Sequence, residues 1–153
     1  MPCDAGVFLT QAAGEYEEKL AAADLMLVTK TPEKELRILA DGRRMWRIFD
    51  NLMGNALKYA LPGTRVYLSL EEQDGEAVFT FKKTSREPLD LPASELMERF
   101  VRGDAARSTE GSGLGLSIAG SLAELQGGAL RLFTDGDLFK AMLRFPLILN
   151  SPG

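Results

Sequence analysis

The chain has 153 residues, of which 45% are apolar and 26% charged, so it holds enough apolar material for one globular domain. It carries one cysteine and no histidine, which excludes an internal disulfide, the usual Cys/His zinc sites and nucleophilic catalysis with an imidazole base. The net charge of -4 argues against nucleic acid as a partner, and no apolar run reaches the length of a membrane span. We expect a cytoplasmic fragment of a longer protein, without direct membrane contact.

The first half of the chain predicts two helices separated by short strands. An amphipathic helix is expected over residues 7–23, and residues 25–29 and 36–40 predict two strands that pair with each other across a break at Pro32. Asp41 is suited to cap a helix over residues 43–60, which the Pro62-Gly63 pair ends.

The second half predicts two hairpins on either side of a long connection. The hairpins lie at 65–81, with a turn at 73–75, and at 129–145, with a turn at 135–137. The connection divides into a loop at 84–92, a short helix at 94–100, a glycine-rich loop at 103–115 and a helix at 116–126 that the Gly127-Gly128 pair ends. Because strands come in adjacent pairs, we predict an α+β fold with one mixed sheet and helices on one face.

A polar stripe on the central predicted helix is the first candidate site. Arg47, Asn51, Asn55 and Lys58 are spaced so that they share one helix face, away from the apolar residues. An amide oxygen is a neutral ligand suited to Mg²⁺ that phosphates already carry, and Lys58 could neutralise a phosphate. The alternative is a solvated helix face, although asparagine is a poor residue for a helix interior.

The second candidate is the glycine-rich segment that precedes the next helix. Gly111, Gly113 and Gly115 allow close backbone approach to a phosphate, and the free N–H groups of the helix that follows favour an anion. Arg102 and Arg107 add guanidinium groups that can bind phosphate in a forked geometry. The segment is not a Walker A loop, and a simple flexible loop is the alternative.

Three motifs in this order resemble the ATP-binding catalytic domain of sensor histidine kinases, the HATPase_c domain of the GHKL superfamily. The stretch Asn51–Tyr59 is similar to the N box of that family, the stretch Arg99–Asp104 to its F box and the stretch Gly111–Leu116 to its G2 box. The resemblance covers roughly residues 36–146. It divides the chain into an N-terminal helical segment at 1–24 (a linker or the first helix of the domain), an ATP-binding domain at 25–149 and a tail at 150–153.

The resemblance implies a Bergerat α/β sandwich, a mixed and mainly antiparallel sheet of about five strands backed by three helices. It implies ATP and Mg²⁺ as cofactors, Asn55 as the metal ligand, and Asn51, Lys58 and Arg107 in catalysis. The phosphoryl group would pass to a histidine on a helical dimerisation domain absent from this chain, and then to a response regulator. The residues implied to bind the nucleotide are Asn51, Asn55, Lys58, Tyr59, Lys83, Ser85, Phe100, Arg107, Gly111, Gly113, Leu114, Gly115 and Leu116.

One position departs from the family pattern, since Lys83 stands where the family has its adenine-binding aspartate. Strand alternation predicts that Lys83 shares a face with Phe79 and Phe81 and points towards the pocket. An ammonium group has no acceptor for the adenine amine, which predicts weak ATP binding and poor discrimination against GTP unless Thr84, Ser85 or a backbone carbonyl accepts instead.

Three other functional classes therefore stay open. The first is a non-catalytic nucleotide-sensing or docking module, which Lys83 favours. The second is an ATPase of the gyrase and chaperone type, although residues 47–50 lack the glutamate that such enzymes need on the central helix. The third is an anti-sigma-factor serine kinase, against which the F-box-like segment argues.

Overall fold

The computed structural model describes residues 2–85 and 112–148. In these ranges the helices are α1 (Ala5–Ala22), α2 (Gly42–Tyr59) and α3 (Ser112–Leu125). The strands are β1 (Pro2–Asp4), β2 (Met26–Lys30), β3 (Arg37–Leu39), β4 (Arg65–Gln73), β5 (Glu76–Thr84), β6 (Ala129–Asp135) and β7 (Leu138–Pro146).

Five of the strands form one sheet, in the order β2-β4-β5-β7-β6. Strand β2 runs parallel to β4, and the other neighbours are antiparallel. Helices α1 and α3 contact the sheet, and α2 packs against both of them. The predicted α+β fold, with a mixed and mainly antiparallel sheet of five strands and three helices, is confirmed.

Local chemistry accounts for the β4–β5 hairpin. Asp74 and Gly75 both have positive φ angles, 51° and 80°, and they connect the paired residues Gln73 and Glu76. Two left-handed residues make the tight turn whose twist matches that of the flanking strands, and Asp-Gly is among the sequences that form it most easily. The predicted hairpin is confirmed, and its turn sets the register that carries β5 to Lys83.

An aromatic cluster holds α2 against β5. The ring of Phe49 on α2 meets the ring of Phe79 edge to face, with centroids 5.0 Å apart, and lies 5.5 Å from the ring of Phe81. Phe49 and Phe79 are fully buried. Because aromatic pairs of this geometry add to the energy of area burial, the cluster fixes the middle of α2 over the inward face of β5.

Two predictions about the elements are wrong. Residues 36–40 do not pair with the preceding strand, because β3 pairs with β1, while β2 takes β4 as its neighbour. Strand β1 has only three residues, which are too few for an alternating pattern to show in the sequence that a strand is present. Helix α3 begins at Ser112 instead of 116. The loop at 84–92 is described only as far as residue 85, one residue beyond the end of β5 at Thr84, and the predicted short helix at 94–100 lies outside the described residues.

Candidate functional site

Helix α2 carries the asparagine pair, and a cap fixes where this helix begins. The Asp41 carboxylate accepts hydrogen bonds from the backbone N–H groups of Arg43 and Arg44, at 2.9 and 3.0 Å. These bonds lower the pKa of the Asp41 carboxyl, and the bond from Arg44 has the larger effect. The predicted cap is confirmed, and it satisfies two of the N–H groups that a helix start leaves unpaired.

The two asparagines do not lie on a solvated face. Asn55 is only 9% exposed and Asn51 is half-buried, whereas Lys58 one turn further is exposed. The Nδ2 of Asn51 is buried, and no hydrogen-bond partner for it is found in the part of the chain that the structure describes. The prediction that the whole stripe faces away from the apolar side is therefore wrong for Asn55. A buried donor without a partner is costly unless a ligand or water supplies an acceptor.

A small cavity lies beside Asn55, between α2 and the inward face of the sheet. Its volume is about 10 Å³, roughly the room that one water molecule needs. Most of the residues that line it are apolar, and the polar ones are Asn55 and two lysines, of which Lys82 has an exposed side chain. The lining residues are Leu52, Asn55, Ala56, Val66, Phe81, Lys82, Lys83 and Phe139.

Lys83 is buried at this cavity, with 5% of its surface exposed. Its Nζ donates a hydrogen bond to Ser85 Oγ at 3.1 Å, and it lies 4.8 Å from the ring centroid of Phe139 and 5.7 Å from that of Tyr59. Burial lowers the pKa of the Lys83 amine to about 8. The predicted inward orientation of Lys83 is confirmed, and the ammonium stays mostly charged at neutral pH.

Each acceptor that could replace the missing aspartate already accepts one hydrogen bond within the protein. The backbone carbonyl of Thr84 accepts a hydrogen bond from the Leu61 N–H at 2.7 Å. The Ser85 hydroxyl accepts from Lys83, and the Ser85 N–H donates to the backbone carbonyl of Asp137. Around Lys83 both oxygens are therefore engaged once, while the ammonium keeps two N–H bonds to donate.

The metal end of the site can be tested against the chemistry of Mg²⁺. Within residues 2–85 and 112–148, no three His, Cys, Asp or Glu side chains come together to hold a metal ion. A magnesium ion at Asn55 would take one amide oxygen from the protein and its other oxygens from phosphates and water, which is how Mg²⁺ commonly binds nucleotides. Asn51, one turn away, does not line the cavity, and its buried Nδ2, without a partner among the described residues, is a donor that a phosphate oxygen would satisfy.

Comparison with known families identifies the fold family. Residues 40–147 match the family of histidine kinase-, DNA gyrase B- and HSP90-like ATPases, which is more than half of the chain. The chain belongs to this ATPase family. The signal transduction histidine-protein kinase BaeS of Escherichia coli K12 is 30% identical over 131 residues, 84% of this chain and 28% of BaeS. The sensor-like histidine kinase SenX3 of Mycobacterium bovis is 31% identical over 135 residues, 86% of this chain and 32% of SenX3.

Solved structures agree with this membership. The catalytic domain of the histidine kinase ThkA superposes with a TM-score of 0.80 at 20% identity, covering 95% of this chain and 94% of that domain. Full-length ShkA in complex with AMPPNP gives a TM-score of 0.79 at 25% identity, covering 99% of this chain and 32% of ShkA. The resemblance to sensor histidine kinase catalytic domains is thus confirmed, and the chain spans less than a third of the length of relatives such as BaeS. None of the helices in the described ranges is long and apolar enough to cross a membrane.

The glycine-rich segment of this ATPase-family chain is described only in part. The backbone of Gly113, Leu114 and Gly115 belongs to the first turn of α3, which therefore starts inside the predicted loop. Leu116 is 1% exposed and packs in the hydrophobic core. The other implied residues of this segment lie outside the described ranges: Phe100, Arg107 and Gly111.

Two contacts at and beside the candidate site were missed in the sequence. Phe139 is the direct partner of Lys83 across the β5–β7 pair, and its ring faces the ammonium. Tyr16 on α1 donates a hydrogen bond to the carboxylate of Asp50 on α2, next to Asn51. Alternation along β7 could have placed Phe139 on the inward face, but the pairing of two strands that are distant in sequence leaves no local signal.

Proposed function

We propose that this chain is the catalytic part of a sensor histidine kinase. It binds a nucleoside triphosphate with Mg²⁺ and directs the γ-phosphoryl group to a histidine on a helical dimerisation domain, from which a response regulator receives it. The chain itself contains no histidine, so the acceptor has to lie elsewhere. We place this activity in the cytosol, where the single cysteine, Cys3, stays reduced as a thiol.

The observation that carries the proposal is the burial of Asn55 beside the cavity on the inward face of the sheet. An asparagine on a helix is usually exposed, and burying an amide is unfavourable unless the group has a use there. A ligand role for its oxygen supplies that use. In the proposed site Asn51 and Lys58 approach the phosphates, Tyr59 and Ser85 lie near the base end, and Arg107 with Gly111, Gly113 and Gly115 closes over the phosphates.

Free-standing hydrolysis, as in the gyrase and chaperone type, is disfavoured by the contacts of α2. The segment 47–50 holds no glutamate, and its one carboxylate, Asp50, accepts a hydrogen bond from Tyr16 on the side of α1. A carboxylate held there is not available to activate water at the cavity. A non-catalytic docking module remains the second candidate, and the buried Lys83 favours it.

Calorimetric titration with and without Mg²⁺ tests the proposal. Asn55→Ala should weaken Mg²⁺-dependent nucleotide binding by about tenfold or more, because the metal loses its protein ligand. Arg44→Ala, an exposed change in the first turn of the same helix, is the control and should bind like wild type. Equal Mg²⁺ dependence in wild type and Asn55→Ala, with normal melting curves for both, would contradict the assignment of Asn55.

A transfer experiment separates the kinase from its rivals. With labelled nucleotide the chain alone should retain no acid-labile phosphate, since it has no histidine, and it should hydrolyse nucleotide slowly. Adding the histidine-bearing domain of the parent protein should produce labelled phosphohistidine on that domain. Fast hydrolysis by the isolated chain would favour an ATPase, and nucleotide binding without any transfer would favour the docking module.

A further inference from the structure

We propose that the base end of this site prefers a 6-oxopurine, guanine or hypoxanthine, over adenine. The inference rests on the proposed function in one respect, namely that the cavity beside Asn55 is where a nucleotide enters. It adds the class of base, which follows from the hydrogen-bond directions around Lys83.

The location of the base follows from the walls of the cavity. Phosphates need cations and N–H donors in contact with water, which the exposed Lys58 and the start of α3 can offer. The walls beyond Asn55 are instead apolar, with Leu52, Phe81 and Phe139 among them. A flat heteroaromatic ring is the part of a nucleotide that such walls suit, with its edge polar groups directed at the few polar side chains.

The charged group at that end of the cavity, the Lys83 ammonium, can donate hydrogen bonds but cannot accept them. The Lys83 ammonium has three N–H bonds, and one of them is used on Ser85 Oγ. Because an ammonium cannot accept, the hydroxyl hydrogen of Ser85 has to point away from Lys83, where it becomes a further donor. A carbonyl oxygen at position 6 of a purine can accept from both groups, whereas the adenine amine at the same position cannot.

Electrostatics also favours a 6-oxopurine over adenine. A positive charge in an apolar cavity repels the partly positive hydrogens of an amine and attracts a carbonyl oxygen more strongly than it would in water. The rings of Phe139 and Tyr59 beside Nζ stabilise the charged form there. The Thr84 carbonyl already accepts from the Leu61 N–H, so only its second lone pair could compete for an adenine amine.

Room for the base has to come from movement of Lys83. The cavity holds about one water, so a purine enters only when the lysine stem changes its rotamer. The stem starts on β5 directly opposite Phe139, so a modest rotation keeps the ammonium at the edge of the cavity. A rotation that takes it fully into solvent would abolish the preference, and the binding experiment separates the two cases.

The experiment is calorimetric titration of the full 153-residue chain with the Mg²⁺ complexes of GTP, ITP, ATP and inorganic triphosphate. A hydrogen bond to a charged group predicts that GTP and ITP bind about 10- to 150-fold more tightly than ATP. ITP lacks the amine at position 2 of guanine, so equal binding of ITP and GTP assigns the preference to the oxygen. Lys83→Met should bring the ratio of GTP to ATP affinity close to one, and Lys83→Asp should favour ATP. Lys30→Met, an exposed change at the end of β2 and outside the cavity lining, is the control and should keep the preference for GTP.

The possible outcomes distinguish this inference from the function on which it rests. If ATP binds as tightly as GTP and ITP, or more tightly, the base preference is wrong while the nucleotide site stands. If inorganic triphosphate binds as tightly as the nucleotides, the base is not recognised and the inference fails. If none of the four ligands binds in the presence of Mg²⁺, the proposed function fails and the inference with it. Where Lys83→Asp does not fold, Lys83→Met alone decides the role of the ammonium.

Discussion

Replacing Lys83 by methionine should stabilise this protein at neutral pH. The fall of the Lys83 pKa from its usual 10.5 to about 8 corresponds to about 3 kcal/mol for keeping the ammonium buried, at roughly 1.4 kcal/mol per pH unit. Methionine has a similar length and no charge, but the Ser85 hydroxyl loses its partner, which costs about 1 kcal/mol. We expect a net gain of about 2 kcal/mol at pH 7, or a melting temperature about 4–8 °C higher for a chain of this size.

The pH dependence gives the sharper test. Below pH 8 the lysine is protonated in both the native and the unfolded state, so its cost is constant. Between about pH 8 and 10.5 the unfolded chain binds a proton that the native state has released, so the stability of the wild type rises with pH. The advantage of Lys83→Met should therefore shrink across this window.

Urea unfolding at pH 7 and pH 10, followed by the fluorescence of the single tryptophan, Trp46, measures both effects. Lys82→Met is the matched control, because Lys82 is exposed on the opposite face of the same strand and should show no pH-dependent difference from wild type. A Lys83→Met protein that is no more stable than wild type at pH 7, or whose advantage is the same at both pH values, would refute the reasoning.

Substitutions at four further positions test the frame around the site. Tyr16→Phe should lower the free energy of unfolding in urea by roughly 1–2 kcal/mol, because it removes the hydrogen bond to Asp50. Burial, and then Asp50, raise the pKa of Tyr16, so the wild type should also lose stability above about pH 10, and Tyr16→Phe should not. Gly128→Ala should lower the melting temperature clearly, because its Cβ would lie 2.5 Å from a backbone carbonyl oxygen, whereas Gly14→Ala, in open space on α1, should add about 0.5–1 kcal/mol. Asp41→Ala should lower the melting temperature, and Asp41→Asn should lower it much less, because asparagine also caps a helix start. Equal melting temperatures of the two variants would contradict the role of the cap.

Much of the fold could be predicted from the sequence because its determinants are local. The Asp41 cap, the Asp74-Gly75 turn and the Gly127-Gly128 helix end each act within a few residues, and the structure confirms all three. The strand pairs joined by tight turns followed from alternation. The pairing of β1 with β3 did not, because two three-residue strands 33 residues or more apart carry no local pattern.

The residues of the candidate site could also be predicted from the sequence, but their arrangement in space could not. The sequence by itself determined that the chain belongs with the nucleotide-binding catalytic domains, that Asn51, Asn55 and Lys58 share a helix, and that Lys83 points inward from β5. Only the tertiary structure decided that Asn55 is buried, that Phe139 faces Lys83 and that the Thr84 carbonyl accepts from the Leu61 N–H. Each of these depends on how α2 and β7 pack against β5, and such contacts between distant segments are set by the whole core and not by any window of sequence.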